Sequence, residues 1–145
     1  MGSGRTEIRL RMRMITETAT TQMVTRLRYC VAEPFAVTLV FDNHGADRIE
    51  WVFGRDLLAA GLTAASGDGD VRVWPAEGSD PIFFELRSPS GRAVFAAGKT
   101  PLQRFLAHTE KLVPRGGERA VMAMDYHLAT LLGGESGLSS PFEAS

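Results

Sequence analysis

The chain is poor in the residues that build reaction centres. It holds one cysteine, Cys30, in 145 residues, so no intrachain disulfide can form. A single thiol suits a reducing compartment. Its three histidines, His44, His108 and His127, are far apart, and none stands in HxxxH or HExxH spacing, which excludes the usual zinc arrangements. No Gly-x-Ser-x-Gly elbow is present. No apolar run approaches the roughly 18 residues needed to span a bilayer. A signal-peptide core is interrupted by Arg5, Glu7, Arg9, Arg11 and Arg13. Gly67-Asp68-Gly69-Asp70 lacks the distal glutamate of a calcium loop and the Lys-Ser/Thr of a phosphate loop, so it reads as a turn. Together these absences predict a soluble, cytoplasmic, non-enzymatic protein with no cofactor, no metal and no membrane span.

What is present is an ordinary globular composition, 44% hydrophobic and 23% charged. The length suits one domain with a core of its own. The net charge of −1 gives no global attraction to nucleic acid or membrane. Its distribution is uneven. From Arg5 to Arg28 there are six arginines and two glutamates, which sets a basic N-terminal region on an acidic body.

Periodicity supplies the elements. Glu7 to Ile15 alternates strictly, with Ile8, Leu10, Met12 and Met14 on one side and Arg9, Arg11 and Arg13 on the other. Thr16 to Thr21 reads as a loop. Strands are predicted over Arg26–Val31, Phe35–Phe41 and Arg48–Phe53, with Asn43-His44-Gly45 as a turn. Arg55–Ala60 is a short helix that Gly61 can cap. Three more strands follow at Val71–Trp74, Ile82–Leu86 and Ala93–Ala96. Thr100 before Pro101 is an N-cap signal, and Leu102, Phe105, Leu106, Leu112 and Val113 form one apolar stripe of a helix from about Pro101 to Val113. Asp125 can cap a last helix carrying Leu128, Leu131 and Leu132. This order predicts an α+β fold with two antiparallel β-sheets and two to three helices. Trp51, Phe53 and Trp74 read as core residues.

The basic face offers one lead toward a ligand. Arg9, Arg11 and Arg13 share a side of their strand, and Arg26 and Arg28 can lie on the neighbouring strand. Such a face can follow a phosphate backbone, so the alternative function is single-stranded nucleic-acid binding. That mode also uses aromatic platforms, and the one aromatic of these two strands, Tyr29, falls on the apolar side. A solvated face paired to acids such as Glu7 and Glu17 is the plainer reading.

Several blocks in order carry a family resemblance: Arg28-Tyr29 leading to Pro34-Phe35-Ala36-Val37, then Trp51-Val52-Phe53-Gly54-Arg55-Asp56-Leu57-Leu58, then Gly69-Asp70-Val71-Arg72-Val73-Trp74-Pro75, Pro89-Ser90-Gly91 and Phe105-Leu106. They resemble the SsgA-like proteins, sporulation-associated cell-division regulators of filamentous actinomycetes. Cys30, Phe35 and Gly54 depart from the residues common there. The resemblance implies one domain over residues 6–133, and composition predicts flexible ends at 1–5 and 134–145. The resemblance also implies a Whirly-like fold similar to single-stranded nucleic-acid binders, a homotrimer, and a place at the cell septum. The implied partners are the division protein FtsZ and other SsgA-like proteins. No catalytic residues carry over. Arg55, Asp56, Arg72 and Trp74 match the motifs, either as partner-binding residues or as holders of the fold; an Arg-Asp pair opening a helix can engage its dipole.

Overall fold

A computed structural model describes residues 4–42 and 48–124. The elements run β1 (Arg5–Ile15), β2 (Thr20–Cys30), β3 (Ala36–Asp42), β4 (Arg48–Gly54), α1 (Arg55–Gly61), β5 (Val71–Pro75), β6 (Ile82–Ser88), β7 (Gly91–Ala97) and α2 (Lys99–Leu112). A further helical stretch covers residues 118–124. The expected turn at Asn43-His44-Gly45, the helix after Asp125 and the tail from residue 134 lie outside the described residues.

Alternation holds in β1, where Leu10 and Met12 are buried while Arg9, Arg11 and Arg13 are exposed. β2 is longer than the sequence suggests, because the expected loop shrinks to residues 16–19. The periodic signal was broken there by Thr25. This polar residue occupies an inward position and donates its hydroxyl to the Leu10 carbonyl at 3.0 Å. The inward set is therefore Met23, Thr25, Leu27 and Tyr29, with Thr25 satisfied by the neighbouring strand.

All strand pairs are antiparallel, but the expected division into two sheets is overturned. The seven strands form one sheet in the order β4-β3-β2-β1-β7-β6-β5. The cause is the length of β1. Its 11 residues all pair with β2, and its last four, Met12–Ile15, also pair with Val94–Ala97 of β7. That junction fuses the two expected groups, so the two-sheet, Whirly-like arrangement does not hold.

The sheet curls into a half-barrel. Strands sit about 4.8 Å apart, so in a flat sheet β3 and β7 would be about 14 Å apart and β4 and β6 about 24 Å. Yet Phe41 of β3 meets Phe95 of β7 with ring centroids 5.0 Å apart, and Phe53 of β4 meets Phe84 of β6 at 6.4 Å. These inner-face contacts exist only because strong twist folds the sheet onto its own apolar side. α1 touches both edge strands, β4 and β5, and so bridges the gap that the curl leaves. α2 lies on the concave side against β1, burying Leu102, Phe105, Leu106 and Thr109.

Three local expectations change. α2 starts at Lys99, not after a Thr100 cap. Its N-cap, Gly98, has no side chain to offer, and the Lys99 N–H donates instead to Asp80 Oδ1 at 3.1 Å. Pro101 then falls among the first-turn groups that have no intrahelical partner. Of the three aromatics expected in the core, Phe53 is buried but Trp51 and Trp74 are only half-buried, since Trp51 lies at the uncovered end of the concave face and Trp74 on the outward side of β5. Gly61 does not cap α1 but belongs to it, and the C-cap is Leu62.

Gly61 faces Val73 of β5 so closely that an added Cβ would overlap the valine side chain. Gly61→Ala should therefore push α1 off β5 and destabilise the chain by about 1–3 kcal/mol through overpacking. The helix gain of alanine over glycine, about 1 kcal/mol, would only partly offset this. A urea midpoint shifted to lower concentration checks it; an unchanged or raised midpoint would show that the seam is loose.

Candidate functional site

The motif residues separate into a buried group and a surface group. Arg55 has no exposed surface. It opens α1 directly after β4, and its guanidinium donates to the Thr109 carbonyl (3.2 Å), the Val113 carbonyl (2.7 Å) and Glu118 Oε2 (2.6 Å). The same group lies 4.9 Å above the Tyr29 ring. Carbonyls at a helix C-terminus lack intrahelical donors and carry partial negative charge, which a guanidinium fork suits. Glu118 holds the arrangement from the far side, its Oε1 accepting the Gly116 N–H at 2.8 Å. The Arg55 hydrogen bond holds the Glu118 carboxyl below its ordinary range, while burial pushes the Tyr29 hydroxyl up. Asp56, the next motif residue, is exposed and pairs with Arg115 at 3.2 Å. Arg55 and Asp56 thus grip one stretch of chain, residues 109–118, from inside and outside.

The convex face carries the arginines. Arg9 stands opposite Arg26, and Glu7 opposite Arg28. The β1–β2 juxtaposition foreseen for the basic face is therefore present, but two of its five arginines are neutralised. Arg26 pairs with Asp42 (2.9 Å) and Glu7 (3.3 Å), and Arg28 pairs with Glu50 (3.2 Å). Among the described residues no ion pair involves Arg9, Arg11 or Arg13. Tyr29 points inward, and no aromatic joins this part of the face. Arg72 and Trp74 lie on the outward side of β5, with the Arg72 guanidinium 6.0 Å from the indole and Trp74 stacked near Phe83 at 5.6 Å. The structure joins them to Arg13 through one cross-strand row, Arg13–Ala96–Phe83–Trp74. Sequence reading missed Glu85, whose signal was a lone acid inside the apolar run of β6. It also missed Glu118, for which spacing gave no signal.

The concave face is covered by α1 and α2 at one end only. At the other, Met14, Met23, Phe41, Ile49, Trp51 and Phe95 line an open groove of about 480 Å³. Ile49 is 46% exposed there, and on the opposite side of the same edge strand Val52 is 59% exposed. Apolar surface concentrated on an uncovered sheet end is characteristic of protein contact sites. Among the described residues no cluster of three or more His, Cys, Asp or Glu could hold a metal ion, and no helix is long and apolar enough to cross a membrane.

A curled antiparallel sheet with one helix-capped end, one open apolar end and a charged convex face defines a small β-rich binding protein. Residues 23–118 match the family model described as Streptomyces sporulation and cell division protein, SsgA. The chain belongs to the SsgA family. It is 42% identical over 108 residues to the sporulation-specific cell division protein SsgB of Streptomyces coelicolor, covering 73% of this chain and 79% of the relative. Against SsgB of Salinispora tropica the identity is 37% over 133 residues, covering 88% and 93%. The fold matches the crystal structure of an SsgA-like sporulation-specific cell division protein from Thermobifida fusca with a TM-score of 0.81. That match has 34% identity and covers 91% of this chain and 99% of the other.

Removing Glu118 would leave the Arg55 charge buried with neutral partners alone, the Thr109 and Val113 carbonyls and the Thr109 hydroxyl. Glu118→Ala should cost about 3–5 kcal/mol, the usual effect of breaking a buried pair, and Glu118→Gln less, because its amide oxygen still accepts. The pH dependence has a fixed sign. A carboxyl whose folded value lies below its ordinary 4.5 contributes stability that is complete above that value. The contribution is lost as pH falls through the lowered folded value. Denaturant titrations at neutral and acid pH check both points: the gap between wild type and Glu118→Gln should narrow as the solution is acidified, and a gap that widens would contradict the assignment.

Proposed function

We propose that this chain is a non-enzymatic regulator of sporulation-specific cell division. It works in the cytoplasm at the septum and helps position or recruit the FtsZ ring by binding FtsZ or another SsgA-like protein. Family membership supports the process, and the open groove supports the mode of action. Ile49, Trp51, Phe41, Met14 and Met23 present apolar surface that α1 and α2 leave uncovered, where a partner side chain can be desolvated. Residues 6–133 form the working domain. Asp56, Arg72 and Trp74 are offered as surface contacts and Arg55 as the holder of the fold.

A homotrimer is the assembly we propose. The edge of β5 is already bridged by the Ser66–Val73 pairing, whereas β4 ends the sheet and carries exposed Val52 and Ile49. An edge of that kind is protected by covering it, and a closed ring would repeat one weak contact several times along a polymer.

The experiment is pelleting of FtsZ polymers at fixed GTP, with and without this protein. The expected result is co-sedimentation or altered polymer mass, with no GTP hydrolysed by this chain itself. Ile49→Asp, a change at a half-exposed position, should weaken the effect about tenfold, equivalent to roughly 1.4 kcal/mol. Unchanged pelleting, polymer mass and bundling would rule out direct FtsZ binding and leave another SsgA-like protein as the partner.

A further inference from the structure

We infer that the convex side of β5, β6 and β7 is a second docking surface, one that takes an acidic segment of a partner protein on Arg72, Arg87 and Arg92. The three guanidinium groups surround a single carboxylate. Glu85 has only 4% of its side chain exposed, against 47%, 56% and 62% for Arg72, Arg87 and Arg92. Only Arg92 hydrogen-bonds to it, through Oε2. Arg72 and Arg87 stay 3.7 Å and 3.9 Å from Oε1, which has no hydrogen-bond partner. Their donors are therefore unspent. They are gathered by charge and not consumed by it.

Such a group is poorly explained as a device for stability. One arginine satisfies one carboxylate, and exposed ion pairs contribute only about 0–1 kcal/mol. The second and third arginines add mutual repulsion and leave two positive charges uncompensated. An incoming carboxylate relieves that repulsion and finds guanidinium forks already converged on it. The neighbouring surface suits a peptide. Trp74 and Phe83 form a half-buried aromatic pair beside the arginines, with Arg72 set over the indole, so an apolar residue next to the acid has a place to lie.

The surroundings favour an acidic peptide over a nucleic acid. The excess charge here is two, enough for two carboxylates. A phosphate chain crossing the convex face would pass Arg9, Arg11 and Arg13 of β1, where no aromatic offers a base a platform, and beyond them would meet Glu7, Asp42 and Glu50. Arg92 borders the concave groove, but Arg72 and Arg87 lie outside it, so the two surfaces meet only at that residue.

The test is binding of a short labelled peptide of glutamates and aspartates with one central phenylalanine. It uses the full chain at low salt and follows fluorescence anisotropy. The wild type should bind, with affinity falling as salt rises. Arg72→Ala combined with Arg87→Ala should weaken binding about tenfold or more. Glu85→Gln should tighten it several-fold, since it removes the competing charge and keeps an acceptor for Arg92; a purely structural glutamate would not do this. Ile49→Asp should leave peptide binding unchanged, which separates this surface from the groove. No binding by the wild type, no tightening in Glu85→Gln, or preference for oligothymidylate at the same salt would each overturn the proposal. If thermal melting shows that Glu85→Gln does not fold, Arg87→Glu at its exposed position decides: loss of binding supports the surface, and retained binding overturns it.

Discussion

A buried guanidinium can stay charged only if the fold supplies acceptors, and this requirement at Arg55, met at both terminal nitrogens while Nε stays without a partner, organises the protein. Its partners come from the last turn of α2, the residue that ends α2, and the start of the 118–124 helical stretch. Its own backbone continues β4 into α1, where its N–H donates to the Phe35 carbonyl at 2.7 Å. One side chain thus fixes α2 against the edge strand and the start of α1. Replacing such a network with apolar residues is often tolerated energetically, whereas removing one member is not. The network therefore specifies a geometry more than it adds stability. The geometry it specifies is the angle at which the helical layer closes one end of the half-barrel.

Closing one end determines what the other can do. The concave face is mainly apolar because strand alternation makes it so, with Thr25 the satisfied polar exception on β2. α1 and α2 are too short to cover all of it. Phe41 and Phe95 meet across the curl and form the floor of what remains open, while Ile49 and Trp51 form its wall on the edge strand. The groove is thus a consequence of curl and helix length, not a separate feature. The convex face follows the same alternation: every inward apolar position places its neighbour outward, and those neighbours are largely arginine on β1, while β6 and β7 each present one, Arg87 and Arg92.

Much of this was legible in the sequence. The positions of the seven strands and two helices follow from period and punctuation. The inward set of β1 and the outward set of Arg9, Arg11 and Arg13 follow from alternation alone. What alternation cannot supply is which strands pair across the chain. The β1–β7 junction depends on the end of an 11-residue strand extending past its helix-covered half, and no local pattern marks it. Thr25 hid half of β2 because a satisfied inward hydroxyl looks the same as an outward one. Arg55 illustrates the limit for sites. A charged residue opening a helix reads as a cap or a surface contact, and its burial depends on Thr109, Val113 and Glu118, more than fifty residues away. Glu85 was more readable, since an acid within Ile82-Phe83-Phe84-Glu85-Leu86 must find cations or be neutralised.

The two most specific motifs occupy the two edges of the sheet, and their composition can be read position by position. In the first, Phe53 and Leu58 enter the core, Arg55 enters the buried network, and Asp56 meets Arg115. Trp51 and Val52 face opposite sides of the open edge. In the second, Val71 and Val73 enter the core beside Gly61, while Arg72 and Trp74 face outward toward Glu85 and Phe83. Each motif alternates between residues that hold the edge in place and residues that the edge presents. A sheet edge is where twist and fraying would blur the position of a side chain most. Anchoring every second residue in the core, and bridging both edges with the same short helix, gives the intervening residues fixed positions. Residues displayed in this way are suited to recognition, and the alternation explains why a motif can be rich in core residues and still belong to a contact surface.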